Sequence, residues 1–206
     1  MTAAQGTEPA AATDLGEESQ TWGGIAFGFA GQIAGENFPR GDLAQLRRMN
    51  PDAPDAAAYW RLMAERDLLG SPGWEAKWAL VLHGIALMTR TAGGEVASRI
   101  AHDRHMPVGR ALFLGGDSSR RESGYYSESR LNRLLTARGP ILRTLLTRMF
   151  RMLAAVNQPF NWSEMARFIL YEGYDEEQAE QARRRIASEY YRSERRSLQS
   201  TESNDE

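Results

Sequence analysis

The sequence predicts an all-α fold: a compact bundle of about seven to nine helices with disordered acidic termini. Three observations predict it. No stretch alternates apolar and polar residues with a strand's period of two over a useful length. Apolar residues recur instead at helical spacing along most of the chain. The stretches that carry them are bounded by Asp, Asn, Pro and Gly where helices begin and end.

Trp22, Ile25, Phe29 and Ile33 form the first stripe, in which Gly23, Gly24, Gly28 and Gly31 weaken the helix and leave room for close helix packing. Asp42 suits an N-cap for a short helix through Leu43, Leu46 and Met49, ended by Pro51. Pro54 and Asp55 open a longer one with Ala56, Tyr59, Trp60 and Met63 inward, closing near Gly70. Trp74, Trp78, Val81, Leu82 and Ile85 mark the next, ended by Gly93-Gly94; the tryptophans read as core, not as stacking platforms. Residues 95 to 126 are the least regular, and loops with short helices are expected there; Gly115 to Ser127 reads as a mobile basic loop.

Glu128 belongs in the first turn of a helix that begins after Tyr126 or Ser127, where it favours the positive end of the dipole. Gly139 suits the end of that helix, and Pro140 the first position of the next. Asn161 with Glu164 makes a capping box, followed by Met165, Phe168 and Ile169 facing the core until Gly173. Asp175 caps the last helix, with Ala179, Ala182, Ile186 and Tyr190 inward and Arg183, Arg184 and Arg185 at their edge.

The chain of 206 residues is long enough for one domain with a core of its own, placed at 21–196 between acidic tails at 1–20 and 197–206. Removing the seven acids of the tails leaves 25 basic against 20 acidic residues, a body of net charge +5. Cysteine is absent, which excludes disulfides, thiolate metal sites and thiol catalysis. No apolar run approaches the roughly 20 residues of a membrane span, and the acidic N-terminus is not a signal peptide. A soluble, cytoplasmic protein is expected.

The stretch from Ser129 to Ser163 holds Arg130, Arg133, Arg138, Arg143, Arg148 and Arg151 and no Asp or Glu. On its helical wheel Ile141, Leu142, Leu145, Leu146, Met149, Met152, Leu153 and Val156 lie on one side. Arg143, Thr144, Thr147, Arg148 and Arg151 lie on the other. The chain has 24 Arg and only Lys77 as lysine, so arginine identity carries little by itself; the absence of acids over this length is what points to a polyanion surface. A solvated helix face without a partner is the bland alternative.

Catalytic chemistry is thin. There are three histidines, His83, His102 and His105. His102-Asp103 resembles the metal-binding pair of HD-type phosphohydrolases but lacks a convincing downstream Asp. Gly115-Gly116-Asp117-Ser118-Ser119 lacks the Lys and spacing of a phosphate loop.

The order of landmarks resembles the CasB family, the small subunit of the type I-E CRISPR Cascade complex. The matching stretches are Gly41 to Arg48, Val108 to Leu112, Glu128 to Leu135, the Leu145 to Leu153 amphipathic helix, Phe160-Asn161-Trp162 and Tyr190-Tyr191. Ile186 departs from the Trp that the family often has. The resemblance implies a non-catalytic helical subunit without cofactor or small-molecule substrate, set beside other Cascade subunits and its own copies. It would contact guide RNA and the target and non-target DNA strands through their backbones, since base pairing supplies sequence specificity. The candidate contacts are Arg47, Arg48, Arg110, Arg120, Arg121, Arg130, Arg133, Arg143, Arg148 and Arg151. The alternatives are a helical protein–protein adaptor without nucleic-acid contact and an HD-like metal phosphohydrolase.

Overall fold

The computed structural model describes residues 21–89, 102–115 and 126–202. Nine helices run through them: α1 Trp22–Ala34, α2 Arg40–Arg48, α3 Ala57–Glu65, α4 Pro72–Met88, α5 Val108–Leu114, α6 Glu128–Thr136, α7 Gly139–Ala155, α8 Trp162–Tyr171 and α9 Glu176–Glu202. No strand occurs among the described residues, only an isolated bridge between His102 and Phe160. Pro72 and Pro140 stand in the first turns of α4 and α7, where a missing N–H costs nothing. Gly139 and Gly173 take positive φ, +54° and +70°, at the first residue of α7 and in the turn before α9.

Helix α4 is the centre. Every residue from Trp78 to Ala86 is buried, as expected of a helix apolar on all sides. It packs against α1, α2, α7 and α8, while α9 crosses α5 and α8. The amphipathic α7 is therefore one wall of the bundle, and α4, read in sequence as a single stripe, is its axis. Two close approaches need glycine. A Cβ on Gly84 would stand 2.6 Å from the rings of Phe150 and Trp162, and one on Gly109 would stand 2.0 Å from the carbonyl oxygen of Ile186.

Several local expectations are corrected. Helix α2 begins at Arg40, so Asp42 lies in its first turn, paired with Arg61 at 2.7 Å, and is not its N-cap. Helix α3 begins at Ala57 and ends at Glu65, because Asp67 turns the chain with φ +53°. Helix α4 ends at Met88, ahead of Gly93-Gly94, which lie outside the described residues. Trp60 is 40% exposed, while Trp74 and Trp78 are core. Ile141, in the first turn of α7, is 62% exposed, and Val156, its C-cap, is also exposed, so the apolar stripe is not buried at its two ends. Arg183 is buried, not at an edge. Helix α9 continues through Glu202, so residues 197–202 are helical where composition suggested a tail. Residues 1–20, most of the Gly115 to Ser127 loop and 203–206 lie outside the described residues.

Candidate nucleic-acid interface

Helices α6 and α7 carry the arginines of the acid-free stretch, with Arg138 at the N-cap of α7. Leu131 and Leu134 bury one side of α6, which turns Arg130 and Arg133 outward. Leu142, Leu146, Met149, Phe150 and Leu153 do the same for α7 and leave Arg148 and Arg151 exposed. None of these four arginines has an ion pair among the described residues. Helix α6 is held from α9, and α7 packs on α4. The Tyr190 hydroxyl donates to the Tyr126 carbonyl at 2.6 Å, and the Tyr191 hydroxyl to Glu128 at 2.9 Å, at the start of α6. Burial pushes the Tyr190 phenol up to about 12, so it stays a donor.

The other predicted arginines divide. Arg143 has an acid after all: Asp52, from the turn after α2, lies 2.6 Å from its Nε. Arg47 donates to the carbonyls of Ala86 and Thr89 and so closes the C-terminal end of α4. Arg48 is exposed and bonds the Ala44 carbonyl one turn back. Arg110 is exposed on α5. Arg120 and Arg121 lie outside the described residues.

The family model for CRISPR-associated protein Cse2 matches residues 42–191. The chain belongs to that family. Cse2 is the CasB small subunit of type I-E Cascade, and membership makes this chain a Cascade subunit of structural, not known enzymatic, type. No curated protein and no solved structure matches it. The matched span runs from the first turn of α2 to Tyr191, so it takes in the α6–α7 surface and the two tyrosines that anchor it. Among the described residues no helix is long and apolar enough to cross a membrane.

Two of the three histidines of this Cse2 chain are tied to backbone groups by their rings, while His105 is exposed. His83 is buried on α4 with Nδ1 2.9 Å from the Leu46 carbonyl. His102 Nδ1 accepts the Trp162 amide at 3.1 Å, which closes the first turn of α8. Among the described residues no three His, Asp or Glu side chains converge as a metal site, so the HD-like arrangement is not assembled there.

A second cationic feature was not visible in the sequence. Arg66 after α3, Arg104 before α5 and Arg167 on α8 line one pocket of about 540 Å³ with Phe27, His102 and the N-terminal turns of α1 and α8. These arginines are scattered along the chain, and only the packing of α1 on α8 gathers them.

Proposed function

We propose that this chain binds nucleic-acid backbone within Cascade, stabilising the guide RNA–target heteroduplex and the displaced DNA strand through arginine–phosphate contacts. It works in the cytoplasm beside other Cascade subunits and further copies of itself. The observation that carries this reading is the row of exposed arginines Arg130, Arg133, Arg148 and Arg151, none with an acidic partner among the described residues. Guanidinium pairs bidentately with phosphate and stacks on exposed bases. Phosphate contacts position a strand without reading it, which suits a subunit whose complex takes its specificity from the guide. Cse2 membership supplies the setting.

Reversing all four arginines to Glu tests it. The fold should persist, since exposed substitutions usually change stability by about 0.5 kcal/mol or less. Single-stranded DNA binding should fall about equally for all sequences. The parent's affinity should fall with salt at a slope of about -0.7 per phosphate contact. A helical, assembling variant that binds DNA like the parent, with no change in salt slope, would leave the adaptor reading in its place.

A further inference from the structure

From the pocket between α1 and α8 we infer a separate binding site for a nucleoside phosphate: its phosphate among Arg66, Arg104 and Arg167, its base against Phe27. None of the lining residues is acidic. The three arginines are exposed residues without an ion pair among the described residues, and the Arg66 guanidinium also lies over the Phe29 ring, 5.1 Å from its centroid. Glu164 acts on Arg167 and Asp103 on His102 only from beyond the lining, so the wall itself is cationic. The volume of about 540 Å³ falls within the roughly 300–1,000 Å³ usual for small-molecule sites.

His102 adds a donor. Because its Nδ1 accepts the Trp162 amide, the proton of the neutral ring sits on Nε2. Burial holds the ring below its ordinary pKa and hence neutral, although Asp103 opposes this. That Nε2 is itself buried and has no hydrogen-bond partner among the described residues, so a phosphate oxygen that reached it would satisfy it. The helix ends contribute field more than donors, since Thr21 already takes the Gly24 amide and Asn161 those of Ser163 and Glu164.

The rest of the ligand has a surface. Phe27 is 49% exposed with its ring 4.8 Å from that of His102. An exposed aromatic beside a cationic pocket is the arrangement on which bases stack. Gly28 keeps the space: a Cβ there would stand 3.0 Å from Arg66 Nη1, so glycine lets that guanidinium lie against α1.

This inference does not depend on the α6–α7 row, and its test leaves that row intact. Adenosine monophosphate and inorganic phosphate are titrated into the full chain by calorimetry. Saturable binding of both at one site is expected. Arg104→Gln with Arg167→Gln, both on exposed side chains, should weaken each by about tenfold or more. Phe27→Ala should weaken the nucleotide and spare inorganic phosphate. A short single strand that competes with the nucleotide upholds the site as one for a strand unit, and one that does not compete upholds it as one for free nucleotide. No saturable binding, or binding unchanged by the arginine pair, overturns the inference while the DNA assay on the α6–α7 variants stands.

Discussion

The carboxylate of Glu164, in the first turn of α8, accepts the backbone amide of Val108 at 2.8 Å and so caps α5 instead of its own helix. Asn161 performs its half of the capping box, taking the amides of Ser163 and Glu164, but the reciprocal arm is diverted to α5. Arg185 of α9 lies 3.3 Å from the other carboxylate oxygen, so one side chain joins three helices. Burial raises the Glu164 pKa, against the lowering effects of the Val108 bond and of Arg185.

Removing that cap leaves the first amide of α5 buried without an acceptor. Glu164→Ala should cost about 1–3 kcal/mol. Glu164→Gln keeps an acceptor and loses the charge that burial penalises, so it should cost less. Urea midpoints of the three proteins check the order. Equal loss in both variants would mean that the Arg185 pair, not the Val108 bond, is what matters.

Two glycines should respond oppositely to alanine. Gly109→Ala places a methyl against the α9 backbone at Ile186 and Tyr190, where no side chain can swing away. The helices must separate, at a cost of about 3 kcal/mol or more. Gly31 lies exposed inside α1 with nothing among the described residues within 4 Å of a Cβ. Gly31→Ala should stabilise by about 0.5–1 kcal/mol through the lost freedom of the unfolded chain. Thermal unfolding of both variants decides it.

Helices were legible wherever apolar spacing and capping chemistry coincided, as at Pro140 and Asn161. The centrality of α4 was less so, because a helix buried on all sides has no stripe to read, and choosing Trp74, Trp78, Val81, Leu82 and Ile85 imposed one. The outward direction of Arg148 and Arg151 followed from periodicity. The partners of Arg143 and Arg47 did not, since Asp52 and the carbonyl of Thr89 are distant in sequence and reach them only through packing. The α1–α8 pocket is invisible in sequence for the same reason.

Stability should rise with pH where His83 titrates. Burial is the main cause that lowers its pKa, and Arg151 adds to it, while the bond to Leu46 opposes both. The unfolded chain therefore binds this proton more readily than the folded one. The contribution is complete above the unfolded value of about 6.5 and is lost as pH falls toward the lower folded value. His102 has the same sign and Glu164 the opposite one, so the difference between the parent and His83→Gln isolates the effect. That variant should lose less stability between neutral pH and pH 5.5 than the parent. Parallel pH profiles would sink the assignment.

Arg183 poses the sharpest stability test, because its guanidinium is taken out of water while its partners are not. The side chain is 4% exposed, and Nη1 lies 2.9 Å from Glu176 and 3.8 Å from Glu180. Glu176 is 62% exposed, so water screens the attraction that should offset the burial of the charge. Among the described residues Nε and Nη2 are buried without hydrogen-bond partners, and the Phe168 face, 5.8 Å from Cζ, offers further compensation. The aliphatic stem is buried with the rest of the side chain. Arg183→Met keeps that packing and removes the desolvated charge, leaving Glu176 solvated and still 3.6 Å from Arg138. It should be neutral or stabilise by about 1–4 kcal/mol. Arg183→Ala removes the stem too and should fall about 2 kcal/mol or more below the Met variant. Denaturant midpoints for the two variants check this, and a Met variant as damaged as the Ala variant would show that the ion pair, not the stem, holds α9 in place.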